Sequence, residues 1–314
     1  MERTDLIALI KEARTLADAN KTSLAPQEMT LSPSLYTDPD RFEQERDVFF
    51  RDRPLCLGPS CLVRDPGDFF TFNDTGTPIL VIRNEAGELN AFVNICSHRS
   101  APVAVDRGHV DGSMISCPYH GWSYTLDGAL RGIPGGKDGF PCVNKSEKGL
   151  RPVPIYEKDG IIYVSPNPDR DFDVDEADGG LAEDMSFLDL KGHHHYDTRQ
   201  IPVKQNWKSL MEGYHEFYHF ASLHPTTIAT TAHSNVCHYT QLGRHHRLTS
   251  PNRGIQDLMA KPEAEWVPRE QITFVYYAFP ATVFFVVSDH FQLWRVYPVD
   301  AENSVVYQTM FLPE

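Results

Sequence analysis

The sequence predicts an α+β protein of two domains preceded by a short helical segment. Three observations carry this. The first nineteen residues are amphipathic at helical spacing, the region from Pro54 to Val164 breaks into short strands between turn residues, and a helical stretch around Asn206 is followed by four apolar strands between 271 and 311. A sheet carrying helices beside a small all-strand region is the α+β pattern. At roughly 150 residues per domain, 314 residues suit two domains.

In chain order, Leu6, Leu9, Ile10, Ala13 and Ala17 share one helix face. Asp38-Pro39, a cap followed by proline at the first helical position, predicts a second helix running through RFEQERDVFF to Phe50. Strands follow at ILVIR (79–83), AFVNI (91–95), SMISC (113–117) and IIYVS (161–165), with turns at Glu85-Ala86-Gly87 and Asp127-Gly128. Pro166 to Leu190 is acidic and rich in Asp and Gly, so it reads as a surface connection. The helix around NWKSLMEGYHEFYHF comes next, then the strands ITFVYYAF, TVFFVVS, FQLWRVY and SVVYQTMF. The expected segments are 1–45, packing with the second domain, then 46–166 and 167–314.

Bulk properties exclude some classes. The net charge of −14 repels nucleic acid and anionic membranes, and suits solubility or a basic protein partner. The longest mostly apolar run, Tyr276 to Val287, is interrupted by Pro280 and falls short of the ~20 residues of a membrane helix. The N-terminus lacks a basic region followed by an apolar one, so no secretory signal is read there. Six cysteines are too few for a disulfide scaffold, and a reducing cytoplasmic setting is expected, where Cys and His pairs suggest metal.

Cys96-Ser97-His98 is followed after 18 intervening residues by Cys117-Pro118-Tyr119-His120. Two thiolates and two imidazoles can bind zinc or a [2Fe–2S] cluster. In a Rieske centre the thiolates hold one iron and the imidazoles the other, so each loop must supply one of each, as C-x-H and C-x-x-H do. A zinc finger usually pairs like with like along the sequence. Pro118 and Gly121 allow tight loops whose N–H groups can point at sulfur. Cys56, Cys61, Cys142 and Cys237 lack such a pattern and read as ordinary thiols.

A second candidate lies in the helix after Asn206. His215-Glu216-Phe217-Tyr218-His219 matches the H-E-x-x-H motif of zinc hydrolases, which needs both histidines on one helix face. Alternatively His219 and His224 are the ligands, joined by a carboxylate from elsewhere in a facial triad that leaves positions open for dioxygen. Five residues apart, they point about 140° apart on a continuous helix, so the helix must end between them. Pro225 is expected to supply that break. His193-His194-His195 is expected in an exposed loop or strand, and His233, His238 and His245-His246 in structural roles, with pocket lining the alternative.

NICSHRSAP and SCPYHGWSY closely resemble the two binding loops of Rieske proteins, and SYTLDGALRGIP and GLRPVPIYEKDGIIYVSPNP resemble the rest of that domain. Asn206-Trp207-Lys208, an acidic residue at Glu216, and His219 and His224 at H-x4-H spacing resemble the alpha subunit of Rieske non-haem iron ring-hydroxylating oxygenases. Most members of that family have aspartate where Glu216 stands.

The resemblance implies a small antiparallel β Rieske domain and a helix-grip-like catalytic domain. It implies Cys96, His98, Cys117 and His120 on the [2Fe–2S] cluster, and His219 and His224 on a mononuclear Fe(II). It makes Glu216 the electron bridge from a neighbouring subunit's His120 or His98 to His219, and hence implies a ring-shaped homotrimer, possibly with a beta subunit. A reductase, with or without a ferredoxin, would bring electrons from NAD(P)H. No G-x-G-x-x-G loop for taking hydride directly is present in the sequence. In the family the third iron carboxylate follows the last strand, so it is expected beyond Glu314, leaving the catalytic domain incomplete. Asp289, Asp300, Glu302 and Glu314 lack the family's context.

The implied reaction is mono- or dioxygenation of an organic substrate, foremost an aromatic compound, as in aromatic hydrocarbon catabolism. The alternative is a quaternary ammonium compound of the choline, carnitine or betaine kind. A Rieske electron carrier would use only residues 46–166, and an HExxH hydrolase only the second motif. Phe274, Tyr276, Tyr277, Phe279, Phe284, Phe285, Phe291 and Trp294 either line a pocket or form core.

Overall fold

The computed structural model describes residues 1–313. The chain divides into two compact units, one spanning Glu45–Ala177 and the other combining Met1–Gln44 with the chain from Asp178 onward.

The first unit is built of ten short strands: β1 (Leu55–Pro59), β2 (Asp68–Phe72), β3 (Ile79–Arg83), β4 (Leu89–Val93), β5 (Arg107–His109), β6 (Met114–Ser116), β7 (Ser123–Thr125), β8 (Leu130–Gly132), β9 (Ile155–Lys158) and β10 (Ile161–Val164). They form three antiparallel sheets, ordered β1-β10-β9, β4-β3-β2-β5 and β6-β7-β8. The core joins Leu80, Ile82, Phe92, Ile115, Trp122, Tyr124, Leu126 and Leu130 to the thiols of Cys96 and Cys117. The Asp127-Gly128 turn has a specific reason for glycine. Gly128 has φ +83°, and a Cβ there would lie 2.4 Å from the Phe92 ring.

In the second unit, helix α1 (Arg3–Ala19) buries Leu6, Ile7, Leu9, Ile10 and Ala13, while Ala17 is only partly covered. Seven antiparallel strands follow: β11 (His193–Val203), β12 (His238–Leu242), β13 (His245–Pro251), β14 (Ile272–Ala278), β15 (Thr282–Val286), β16 (Phe291–Pro298) and β17 (Ser304–Pro313), in the order β11-β17-β16-β15-β14-β13-β12. Register sorts the side chains into two faces. Arg247, Tyr276, Phe284, Leu293 and Thr309 form one buried cross-strand row. His246, Tyr277, Val283, Trp294 and Gln308 form a row on the opposite face. Of the aromatic residues in these strands, Phe274, Tyr276, Phe284 and Phe291 are therefore core, whereas Tyr277, Phe285 and Trp294 lie on the other face.

Three expectations are corrected. The acidic segment 166–190 is not a mere surface connection. It contains α2 (Leu181–Met185), and Leu181, Ala182, Met185 and Leu188 are buried. Its polar spacing hid this, because Asp184 turns inward to pair with Arg247 and accept the Tyr276 hydroxyl. The helix from Asp38-Pro39 is regular only over Pro39–Glu45 and then widens into a π-type turn over Arg46–Asp52. The helix after Asn206 is also shorter than predicted. α3 (Trp207–Tyr214) ends at His215, and a separate single turn, α4 (Phe220–Leu223), follows. No helix among the described residues is long and apolar enough to cross a membrane.

Candidate metal centres

The two loops of the first unit are built alike. In each, the cysteine N–H donates to the carbonyl five residues on: Cys96 to Ala101 at 2.8 Å and Cys117 to Trp122 at 2.9 Å. In each, the N–H four residues on returns to the cysteine carbonyl: Ser100 to Cys96 and Gly121 to Cys117, both at 3.0 Å. The returning residue is left-handed in both, Ser100 with φ +60° and Gly121 with φ +70°. Asn94 clamps the base of the first loop. Its side-chain oxygen accepts from Val103 and Ala104 N–H, and its amide donates to the Ala104 carbonyl at 2.8 Å.

These loops bring like to like. The Cys96 thiol meets that of Cys117, and the His98 and His120 rings stand 4.7 Å apart at 73°. Both thiols are buried, whereas His98 is half-buried and His120 exposed. Burial pushes the Cys96 thiol up, and its hydrogen bonds to Tyr124 and the His98 N–H oppose that shift. Among the described residues no three His, Cys, Asp or Glu side chains converge as they would around one ion. Two pairs are what a cluster with two irons requires, and a tetrahedral zinc requires a single convergence. The Trp122 Nε1–H beside His98 is buried without an acceptor. Ligand types, pairing and this orphaned donor all fit a [2Fe–2S] cluster.

In the second unit, Asn206 caps α3 by accepting from the Lys208 N–H at 2.9 Å, and its amide ties to the Tyr36 and Ala301 carbonyls. The chain breaks after Tyr214, upstream of where Pro225 was expected to act. Glu216 stabilises the break by accepting the N–H groups of Tyr218 and His219, and its other oxygen meets His219 Nδ1. His219 and His224 then flank the single turn of α4, and their rings stand 5.3 Å apart at 69°. With Nδ1 held by a carboxylate, Nε2 is the His219 nitrogen that could hold a metal, the arrangement common among ligating histidines.

The H-E-x-x-H geometry does not form. His215 packs on His246 at 4.6 Å and on Tyr277 at 4.1 Å. Burial, with His246 alongside, pushes its pKa down to about 3. His246 is no ordinary surface histidine either, as burial beside His245 brings it to about 4. His193, expected in an exposed loop or strand, is buried in β11.

Among the late acids, Asp289 meets His290, Asp300 caps the turn to Asn303, and Glu302 lines an open surface cleft with Tyr36. None joins His219 and His224 in a metal-holding group, and Glu314 lies outside the described residues. Sequence reasoning missed Trp122, Tyr124 and Asn94. The first two are an i, i+2 pair leading into and lying on β7, readable as sharing one face once that strand is known. Nothing in the sequence marked Asn94.

A profile of the Rieske [2Fe-2S] domain matches residues 53–156, and one of the ring hydroxylating alpha subunit catalytic domain matches residues 188–314. A glycine betaine monooxygenase oxygenase subunit from Pseudomonas aeruginosa is 30% identical over 204 residues, covering 64% of this chain and 46% of its own length. A carnitine monooxygenase oxygenase subunit from Escherichia coli is 26% identical over 291 residues, covering 89% of this chain and 74% of its own. This chain therefore spans less than half the length of the first relative. The crystal structure of naphthalene 1,2-dioxygenase from Rhodococcus sp. bound to indole superposes with a TM-score of 0.75 at 20% identity, over 98% of this chain and 77% of that one, a likeness of fold. The two profiles together take in most of the sequence, in the same order as the two candidate metal centres, and the chain belongs to the family of Rieske ring-hydroxylating oxygenase alpha subunits.

Proposed function

We propose that the chain is the oxygenase component of a multicomponent Rieske non-haem iron oxygenase. Cys96 and Cys117 would hold one iron of the [2Fe–2S] cluster and His98 and His120 the other, with His219 and His224 on a mononuclear Fe(II). When bound, these groups supply single electrons and a site where dioxygen reacts. The observation that carries the reading is the pairing of thiol with thiol and imidazole with imidazole across two matched loops.

The chain's own residues do the rest. Tyr124 holds Cys96 Sγ at 3.2 Å and the Ser97 N–H at 3.1 Å through its hydroxyl, so it limits the charge the thiolate carries. Glu216 orients His219 through Nδ1 and remains 42% exposed. That exposure suits the bridging role, in which a neighbouring subunit's His98 or His120 would approach this carboxylate in a homotrimer. A reductase would deliver the electrons.

The substrate is an organic compound oxygenated on the sheet face that carries α3. Tyr214 stands edge-on to Trp294 at 4.9 Å and to Phe285 at 5.9 Å, and the latter two rings are 5.5 Å apart. Such a ring cluster accepts an aromatic compound. It also suits a quaternary ammonium through cation–π attraction, and the names of the glycine betaine and carnitine relatives favour this second reading. The test is anaerobic iron loading with metal analysis, then product detection on a panel containing arenes, carnitine and betaines. Three irons per chain with a Rieske EPR signal and a hydroxylated product are expected. Two irons and no product would leave an electron carrier, and a single zinc would overturn the proposal.

A further inference from the structure

Two residues past His120 the chain enters β7 through Trp122, which is 2% exposed. Its indole lies almost parallel to the His98 imidazole, centroids 4.8 Å apart at 10°. Phe140 stands edge-on to both rings, 5.5 Å and 89° from His98 and 5.5 Å and 87° from Trp122. An imidazole on the first loop is thus held flat by a ring that follows the second. The Trp122 main chain is itself anchored, because its carbonyl accepts the Cys117 N–H. Its indole N–H is one of the buried side-chain polar atoms among the described residues that have no hydrogen-bond partner. Buried donors rarely go without an acceptor, and buried tryptophans usually find one. The protein supplies none to this one, whose indole lies against the His98 ring.

We propose that Trp122, backed by Phe140, is a positioning residue for the iron–sulfur cluster: its plane sets the plane of His98, and its buried N–H is reserved for a sulfur of the cluster. This rests on the cluster assignment above. A donor to sulfur favours the reduced, more negative cluster and so raises its potential. A ligand imidazole held in one plane gives a single ligand-field geometry.

The full chain, loaded with iron and sulfide, provides the test. Trp122→Phe keeps an aromatic ring, though a smaller one, at the position over His98 and deletes the N–H. It should retain the cluster and disfavour reduction about tenfold, a midpoint lower by about 59 mV for a one-electron couple. Trp122→Leu should in addition change the spread of the EPR g values, because the imidazole loses its stacking surface. A Trp122→Phe midpoint equal to the parent's overturns the role of the N–H. Should either variant fail to hold iron, Phe140→Leu decides, since it leaves the indole and both loops in place. A changed EPR line shape supports the proposal, and an unchanged one overturns it. A parent protein that shows no Rieske signal at all sinks the cluster assignment itself, which is a separate failure read on a separate sample.

Discussion

His215 and His219 are four residues apart, yet their imidazoles have gone to different tasks. His219 is held by Glu216 and faces His224, whereas His215 packs half-buried against His246 and Tyr277. His219→Ala and His224→Ala should each remove the mononuclear iron and spare the Rieske EPR signal, and His215→Ala should keep both. Loss of that iron from His215→Ala with retention in His224→Ala would return the site to the H-E-x-x-H reading. The His215–His246 pair also has a pH signature. An unfolded histidine protonates near 6.5, whereas folding holds His215 down to about 3 and His246 to about 4. The unfolded chain then binds more protons below that value. Their contribution is fully present above pH 6.5 and declines as the pH falls from there towards about 4. Urea midpoints of the second unit should drop between pH 7 and pH 5, and less steeply in His215→Phe. Identical slopes in the two proteins would show that this pair does not control the acid limb.

At the scale of elements, the seven-stranded sheet works because its two faces differ. One is packed with Phe274, Tyr276, Phe284 and Phe291, and it carries the ion pair of Arg247, 4% exposed, with Asp184, 13% exposed. Asp184 sits on α2 and ties that helix to β13 and β14 through Arg247 and the Tyr276 hydroxyl. Breaking such a pair leaves a charge buried without compensation. Asp184→Asn should therefore destabilise the second unit by about 3 kcal/mol or more, against ~1 kcal/mol for Tyr276→Phe, which removes one hydrogen bond. Denaturant titration of both variants checks the ranking, and a loss below ~1 kcal/mol in Asp184→Asn would contradict it. The opposite face carries His246, Tyr277, Phe285 and Trp294, aromatic rings that meet α3 through Tyr214 and His215.

For the whole molecule, the two units depend on metal differently. In Glu45–Ala177 the thiols of Cys96 and Cys117, the proposed cluster ligands, lie inside the main core, beside Trp122 and Tyr124. Metal that binds only the folded loops adds its binding energy to folding. Anaerobic chelation should lower the unfolding temperature of this unit by more than about 5 °C in calorimetry. The sheet of the second unit is held by apolar cross-strand rows, so its transition should move far less. Equal shifts of both transitions would mean that the units unfold together. The net charge of −14 serves solubility, and any association with a basic protein would weaken in salt.

Local chemistry made much of this legible from the sequence. Pairs of Cys and His at C-x-H and C-x-x-H spacing can be recognised because each ligand set lies within four residues, and the Asp127-Gly128 turn because only glycine tolerates φ +83° against Phe92. The period-two strands from Ile272 to Phe311 and the amphipathic α1 were readable for the same reason, since their patterns repeat along the chain. Tertiary structure decided the rest. The end of α3 at His215 rather than near Pro225 depends on a carboxylate folding back onto Tyr218 and His219. The burial of acidic α2 depends on Arg247, 63 residues further on. The stacking of Trp122 on His98 joins residues from two loops, and the separation of core aromatics from those facing α3 depends on strand register. Contacts between residues so distant in the chain leave no periodic trace in it, because they come into being only when the elements pack.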